Sequence, residues 1–121
     1  MPDRRIVEAF VADVLSEDHV GAIERWYAQD AYMQENQGER RVGREVLMEG
    51  ERKTLARFAG VKTELVAPPV IDGDQVPIRW RFTFTGKDGS TRSFEEVAWQ
   101  TWAGEEIIAE TFFYDPAQMK G

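Results

Sequence analysis

Residues 75–114 read QVPIRWRFTFTGKDGSTRSFEEVAWQTWAGEEIIAETFFY, and this stretch decides the fold. Its first part places a large apolar side chain at every second position from Val76 to Phe84, with arginines and threonines between them. A period of two is typical of a strand with one buried face. The segments 91–102 and 106–114 follow across short glycine-containing turns. The sequence therefore predicts three antiparallel strands joined as hairpins.

Two glutamates fall on the inward row when it is extended across the second and third of these strands. They are Glu96 and Glu110, and their neighbours on that row are Phe94, Ala98, Ile108 and Phe112. A carboxylate on the inner face costs free energy unless it is paired or used. We therefore expect a cavity with acid–base chemistry. The alternative is that one or both lie exposed, or paired with an arginine of the sheet: Arg79, Arg81 or Arg92. A single bulge would swap the two faces.

The upstream half has the 3.6-residue periodicity of helices. The pattern predicts helices over 3–16, 18–30 and about 43–58, with a short strand at 31–36 and Gly60 ending the third helix. A fourth long strand begins near residue 61 and precedes the hairpins. This order predicts one α+β domain over 1–121, in which three N-terminal helices pack on a strongly curved, mixed and mostly antiparallel sheet. Such a cone leaves a pocket at its wide end.

Composition narrows the range of partners. The net charge of −7 disfavours nucleic acid and anionic membrane surfaces. No cysteine is present, and His19 is the single histidine, so neither a cysteine-based nor a histidine-based metal site is expected. His19 is predicted to lie between the first two helices, away from the strands, and no catalytic role is assigned to it. No apolar run is long enough for a signal peptide or a spanning helix, so we expect a cytoplasmic protein.

The short strand supplies a further candidate acid, Glu35, whose alternative is an exposed position near the loop 37–41. Side chains that can donate a hydrogen bond to a ligand carbonyl are Tyr32, Gln34, Gln100 and Tyr114. The remaining residues predicted to line a pocket for a hydrophobic small molecule are Trp26, Trp80, Phe82, Ala98 and Phe112. For most of these aromatic residues, ordinary core packing is the competing interpretation.

The opposite face of the same strands carries apolar residues as well. Val97, Trp99 and Phe113 have the outward parity, and large exposed apolar side chains on a sheet are usually covered by another surface. We interpret this face as the interface of a homodimer.

Four segments carry a resemblance to a known superfamily. They are WYAQDA at 26–31, VGRE at 42–45, VAWQTW at 97–102 and IIAETFFYDP at 107–116. Together with the order of elements, they make nearly the whole chain similar to the NTF2-like superfamily, and within it to the SnoaL-like and ketosteroid isomerase-like group. The resemblance implies the cystatin-like cone, but this fold hosts isomerases, cyclases, hydrolases, dehydratases and non-catalytic binders.

The resemblance also places the functional residues of a ketosteroid isomerase. The catalytic base falls on Glu35, whereas the oxyanion-binding tyrosine and acid fall near Val11 and Ala98, which cannot donate a hydrogen bond. The chain departs least from the SnoaL-like cyclases, which rely on one acid in an apolar pocket.

Our leading hypothesis is a SnoaL-like enzyme in which Glu35 or Glu96 abstracts a proton beside a carbonyl, for isomerisation or cyclisation, without a metal or organic cofactor. The first alternative is a non-catalytic binding or dimerisation module. The second is a structural dimer with a solid interior.

Overall fold

The computed structural model describes residues 1–119. Within this range, three helices pack on a six-stranded sheet. The helices are α1 (Arg4–Leu15), α2 (His19–Trp26) and α3 (Arg44–Ala56), with a 3₁₀ turn at Pro116–Met119. The strands are β1 (Tyr27–Glu35), β2 (Arg41–Val42), β3 (Phe58–Leu65), β4 (Gln75–Gly86), β5 (Thr91–Ala103) and β6 (Glu106–Phe113).

The sheet has the order β2-β1-β6-β5-β4-β3. Neighbouring strands of the sheet run antiparallel, except for β1 and β6, which run parallel. The predicted α+β class, the three helices and the mixed, mostly antiparallel sheet are confirmed. The parallel pair joins the first long strand to the last one, so the two halves of the chain share one sheet.

Side-chain caps start the first two helices. Asp3 accepts a hydrogen bond from the Ile6 amide, and Asp18 accepts one from the Gly21 amide, which satisfies backbone donors that the first turn leaves free. Gly21 lets the Asp18 side chain take this position, because a Cβ atom there would lie 2.1 Å from a carboxylate oxygen of Asp18 and would displace the cap. The capped turn fixes where α2 begins, and with it the direction of His19.

Two predicted boundaries were wrong. The second helix ends at Trp26 and not near Asp30, because Tyr27 already pairs with Ile107 of β6 and the strand starts there. Gly60 does not end the third helix, which stops at Ala56; it lies inside β3 and pairs with Thr85. In both places strand pairing with a distant segment overrides the local helical pattern.

A bulge in β6 corrects the predicted inward row. Thr101 pairs with Ala109 and Trp102 with Ile107, so Ile108 is the extra residue. Ile107 is fully buried, whereas Ile108 is 38% exposed, the reverse of the predicted facing. Beyond the bulge the parity is restored, and Glu110 points inward.

Candidate active site

A cavity of about 180 Å³ opens between the helices and the inner face of the sheet. Most of its wall is apolar or aromatic: Phe10, Val14, Ala22, Ile23, Met33, Leu47, Trp80, Phe82, Phe84, Phe94 and Phe112. Its polar lining comprises His19, Tyr27, Glu35, Arg41, Glu51, Thr54, Glu96 and Glu110. The protein therefore contains a mostly apolar cavity with four carboxyl groups in its wall.

Glu110 is the most enclosed of these acids, with 2% of its surface exposed. The Tyr27 hydroxyl donates a hydrogen bond to its Oε1, and Gln100 Nε2 donates one to Oε2 at 2.8 Å. Gln100 is itself held by Trp102, whose indole nitrogen donates to Gln100 Oε1 at 2.9 Å. Each donor faces an oxygen, so the network stabilises the ionised form of Glu110 in a place where water is excluded.

The junction between α2 and β1 delivers Tyr27 to this network. Tyr27 is the last cap of the helix and also the first residue of the strand, with extended backbone at φ −96° and ψ 140°. Its side chain is 4% exposed and packs edge-on against Phe10. A helix that leads into a strand without a loop holds the phenol in one position relative to the sheet.

Glu96 lies on β5, four residues before Gln100 and on the same face. It is 8% exposed and lines the cavity. Within residues 1–119 no side chain donates a hydrogen bond to its carboxyl group, and its surroundings act through burial and neighbouring acids alone. Glu96 and Glu110 therefore share a cavity but differ in their hydrogen-bond partners.

This difference separates their acidities. Burial raises the pKa of Glu110, while the hydrogen bonds from Tyr27 and Gln100 hold it back, to about 7. Burial, reinforced by the charge of Glu110, raises the pKa of Glu96 well above its usual range. Burial and the nearby charge of Glu110 also raise the pKa of the Tyr27 phenol. Burial thus favours the protonated form of Glu96, whereas near neutral pH Glu110 is divided between its two forms.

Glu35 lies at the mouth of the cavity. Its side chain is 54% exposed and is 3.8 Å from Arg41 Nη2. The surroundings correspond to the surface alternative considered from the sequence, although the residue also belongs to the cavity lining.

Tyr32 and Gln34 are on the other face of β1 and are not part of the lining. Tyr32 lies under the Arg40 guanidinium, 4.3 Å from ring centroid to carbon, and Gln34 Nε2 donates to the Gly38 carbonyl. The structure therefore does not bring these two residues to the candidate acids.

The other residues predicted to line a pocket divide into two groups. Trp80, Phe82 and Phe112 do line the cavity. Trp26, Ala98, Gln100 and Tyr114 lie outside its lining. Trp26 donates its indole hydrogen to Asp13, Ala98 is fully buried, and Tyr114 contacts the Phe94 ring edge-on. Gln100 acts from behind Glu110, as a partner of that acid.

Sequence reasoning missed Glu51. It is half-buried, lines the cavity from α3, and its pKa is raised by burial, with His19 and Arg41 opposing. A signal was present: Glu51 lies four residues after Leu47 and four before Leu55, on the apolar stripe of this helix. An acid on that stripe is the helical counterpart of an acid on the inward row of a strand.

His19 was placed wrongly. It lies at the junction of the first two helices, as the first residue of α2, but it also contacts the strands. Its Nε2 is 2.8 Å from Thr63 Oγ1, and the ring meets Phe82 edge-on with centroids 5.9 Å apart. It is 9% exposed and lines the cavity. A histidine at a helix start carries no pattern that predicts a contact with a strand 44 residues away.

Among residues 1–119 no set of three or more histidine, cysteine or acidic side chains is arranged to hold a metal ion. None of the helices described there is long and apolar enough to cross a membrane.

Comparison with known families gives a match over most of the chain. Residues 7–110 match the family model described as the SnoaL-like domain. No curated protein matches the sequence.

Several solved structures are similar. A candidate SnoaL-like polyketide cyclase from Mesorhizobium loti is 26% identical, with a TM-score of 0.78 over 94% of this chain and 100% of its own. An uncharacterised cystatin-fold protein from Novosphingobium aromaticivorans is 23% identical, with a TM-score of 0.76 over 93% and 97%. An epoxide hydrolase from M. tuberculosis is 17% identical, with a TM-score of 0.76 over 95% and 79%. At these last two identities the likeness concerns the fold.

Proposed function

Because the chain belongs to the SnoaL-like domain family, we propose that it is a small-molecule enzyme whose cavity carries out acid–base chemistry on a hydrophobic carbonyl compound, of isomerase or cyclase type. The similar structures include a candidate polyketide cyclase and an epoxide hydrolase, which agrees with a fold that hosts several chemistries. The specific proposal is supported by the geometry of the acids.

The observation that carries this proposal is the unequal treatment of two carboxyl groups in one cavity. Glu110 receives two hydrogen bonds, whereas Glu96 receives none within the described residues. When the environment pushes two acids apart in this way, one is suited to act as the base and the other as the acid. Glu110 takes the role of base, and Glu96, whose protonated form is favoured by burial, takes that of hydrogen-bond donor to the substrate carbonyl.

The proposed step is proton removal from the carbon next to that carbonyl. A Glu110 oxygen accepts the proton, negative charge moves onto the carbonyl oxygen, and the Glu96 hydroxyl stabilises it. Return of the proton at another carbon would isomerise the substrate, and attack of the enolate on a second carbonyl would form a ring. A base of pKa about 7 is well matched to work at neutral pH.

The aromatic wall supports a hydrophobic substrate. Phe82 and Phe84 stack at 6.2 Å between centroids, and Phe84 and Phe94 stack at 5.7 Å with 13° between their planes. These rings form a flat patch beside the acids, which favours a flat apolar body in the ligand. In this proposal Glu35 and Arg41 lie at the entrance of the cavity and not at the reacting centre.

The test is the exchange of α-hydrogens, because it needs no knowledge of the natural substrate. A panel of cyclic ketones (cyclohexanone, 2-decalone and 2-tetralone) is incubated with the protein in D₂O, and loss of the α-proton signal is followed by NMR. We expect the parent protein to exchange the α-hydrogens faster than the Glu96→Gln, Glu110→Gln double variant does. Glu110→Gln alone should lower the exchange rate by about 10²–10⁴-fold, the range for a general base.

Glu95→Gln is the matched control, since Glu95 is the neighbour of Glu96 and lies on the opposite face of β5. It should exchange the ketones as fast as the parent. If the parent is no faster than a Glu96→Gln, Glu110→Gln double variant on any ketone, the enzyme proposal is wrong.

A second candidate is a non-catalytic binding module. The observation that favours it is the saturation of Glu110, both of whose oxygens already accept hydrogen bonds from the protein. If these hydrogen bonds give Glu110 a purely structural role, the cavity can still bind an apolar ligand but does not convert it. Ketones that bind, as measured by tryptophan fluorescence, yet undergo no exchange would support this candidate.

We also propose that the outer sheet face mediates a homodimer in the cytoplasm. Trp99 and Phe113 are 44% and 41% exposed, and Val97 pairs with Phe113 across β5 and β6. An apolar patch of this kind is usually covered. Sedimentation of the parent and a Trp99→Lys variant tests the proposal, because the variant should become monomeric. A parent that sediments as a monomer at micromolar concentration contradicts it.

A further inference from the structure

We propose that His19 is a second proton-transfer residue of the cavity, with its ring tautomer fixed by Thr63 and Glu17 so that Nδ1 is its basic nitrogen. The inference rests on the proposed function, since it gives the same cavity a second acid–base group. It concerns a residue to which the sequence patterns assign no role.

The position of His19 is the first argument. It is the first residue of α2 and lines the cavity from the helical side, whereas Glu96 and Glu110 line it from the sheet. The imidazole is 9% exposed and lies edge-on to Phe82, one of the rings of the aromatic patch. A ligand between that patch and the helices would therefore contact the histidine.

The tautomer follows from counting hydrogens. Thr63 Oγ1 donates its only hydrogen to Glu17 Oε1 at 2.6 Å, so the same oxygen can act only as an acceptor towards His19 Nε2, 2.8 Å away. Nε2 therefore carries a hydrogen. In the neutral ring the lone pair is then on Nδ1, which is the nitrogen left for a ligand.

Glu17 orients Thr63, and it does so from a backbone conformation that is unfavourable for glutamate. It has a φ of 72°, in the left-handed region, directly after the residue that caps the end of α1. Glycine is the preferred residue at such a position. The glutamate kept there uses both oxygens on Thr63, Oε2 accepting from the backbone amide at 2.9 Å and Oε1 from the hydroxyl.

The surroundings of the imidazole contain the other groups that affect its proton. They are Glu17 after α1, Glu51 of α3, Thr63 of β3 and Phe82 of β4. Glu17 Oε1 is 3.3 Å from Nε2, and Glu51 interacts electrostatically with the ring from across the cavity. Glu17 and Glu51 are therefore the charged groups nearest the imidazole among the elements packed against it.

In the proposed reaction, Glu110 takes a proton from carbon on the sheet side of the substrate. A protonated His19 gives a proton from Nδ1 to another atom of the substrate on the helical side. The cycle ends with one proton gained by Glu110 and one lost by His19. Exchange with water at the cavity mouth restores both groups, and no oxidant, reductant or further reactant is needed.

A single histidine makes the tautomer directly measurable. In a long-range ¹H–¹⁵N correlation spectrum of the ¹⁵N-labelled protein, every imidazole signal belongs to His19. We expect the neutral ring to carry its hydrogen on Nε2. A ring protonated on Nδ1 overturns the proposal, since no basic nitrogen would then remain for the ligand.

Two variants test what fixes the tautomer. Thr63→Val removes the acceptor of the Nε2 hydrogen, and Glu17→Gly removes the carboxylate while suiting the left-handed backbone better than glutamate does. We expect a mixture of tautomers in both. A parent-like spectrum from the folded Glu17→Gly protein contradicts the arrangement, because Thr63 would then need no fixed orientation.

A purely structural strap between α2 and β3 would explain the hydrogen bonds but not a response to a ligand. 2-Naphthol, a stable flat analogue of an enol, is therefore added to the labelled protein. Binding, followed by tryptophan fluorescence, should shift the Nδ1 signal more than that of Nε2. Naphthol that binds without moving the Nδ1 signal overturns the proposal and leaves the proposed function standing.

If naphthol does not bind, chemical modification distinguishes a histidine with an open Nδ1 from a purely structural one. Diethyl pyrocarbonate modifies an accessible, unprotonated imidazole nitrogen, and mass spectrometry locates the product on the parent protein itself. Modification of His19 in the folded state supports an open Nδ1 even when the ligand class is wrong. Complete protection of the folded protein, with modification only after unfolding, shows that Nδ1 is closed to the cavity and overturns the proposal.

Discussion

Glu95 and Glu96 are consecutive residues of β5 and face opposite sides of the sheet. On the outer side, Glu95 accepts hydrogen bonds from Arg79 Nη2 at 2.9 Å and Arg81 Nη2 at 2.8 Å, and these partners lower its pKa. On the inner side, Glu96 has no such partner within the described residues, and burial raises its pKa. One step along the strand thus changes an ion-paired carboxylate with a lowered pKa into a buried acid with a raised pKa.

This comparison shows that the pKa of a glutamate in β5 depends on the face of the sheet on which its side chain lies. Both faces carry acids and large aromatic residues. On the outer face two arginines pair with Glu95, whereas on the inner face Glu96 and Glu110 are buried and only neutral donors reach Glu110. Substitutions made in matched pairs, one on each face, test this contrast.

The largest effect is expected for the tryptophans of β5. Trp102 is 1% exposed on the inner face, and Trp102→Ala should cost about 3–5 kcal/mol of the free energy of unfolding. It also leaves Gln100 without the donor that orients it. Urea denaturation of the variant and of Trp99→Ala, on the outer face, gives the comparison.

Trp99→Ala should lower the stability much less, because 44% of that side chain is already exposed. Any larger loss that grows on dilution would indicate an interface and not the core. Equal losses for the two tryptophans at every protein concentration would break the contrast between the faces.

The second effect concerns stability against pH. The folded-state pKa of Glu110 is raised from 4.5 to about 7, so ionisation of this residue opposes folding. Its contribution is favourable below pH 4.5 and is lost as the pH rises to about 7, by about 3 kcal/mol in total. Glu110→Gln should therefore gain on the parent as the pH rises through this window, in chemical denaturation at several pH values.

Glu95 provides the opposite slope. Its pKa is lowered, so its stabilising effect is present above the ordinary value and is lost as the pH falls. Glu95→Gln should differ from the parent at neutral pH and converge with it in acid. If both variants follow the parent in parallel over the whole range, the two carboxyl groups do not titrate as their surroundings imply.

The third effect is expected at Tyr27. Tyr27→Phe removes one of the two donors to Glu110 while keeping the ring, so the pKa of Glu110 should rise further, by about 1–2 units. Carboxyl ¹³C signals followed against pH measure the change. Tyr114→Phe is the matched control, since its hydroxyl makes no hydrogen bond to Glu110. An unchanged Glu110 titration in Tyr27→Phe would show that the phenol does not stabilise the carboxylate.

The smallest effect is expected on the outer face. Arg79→Gln removes one of the two arginines that hold Glu95, and an exposed ion pair of this kind contributes little to stability. The melting temperature should change only slightly, and the change should shrink further in high salt. A large, salt-insensitive loss would mean that this pair is buried in the protein as it exists in solution.

Much of the fold is predictable because the pattern repeats. The alternation from Val76 to Phe84 and the stripe of α1 each involve many side chains, so one exception does not change the result. The boundary at Tyr27 was not predictable in this way, because its pairing partner, Ile107, lies at the other end of the chain. Local pattern carries no information about such a partner.

The candidate site was predictable only in part, for the same reason. Glu96 and Glu110 break an apolar row, and that conflict is visible in one strand at a time. Glu110 points inward as predicted, despite the bulge at Ile108, because the residues after the bulge restore the alternation. The roles of Tyr27 and His19 depend on contacts between distant segments, 83 and 44 residues apart, and no spacing within their own elements predicts those contacts. Gln100 contacts Glu110 across one hairpin, where the exact register decides the pairing.

The hydrogen bond between Tyr27 and Glu110 joins residues 83 positions apart. Closing so long a loop is entropically costly, and the contact forms only where β1 pairs with β6. Strands β3, β4 and β5, by contrast, pair with their neighbours in sequence. The acidity of Glu110 therefore depends on the long-range closure of the sheet, and not on its own hairpin alone.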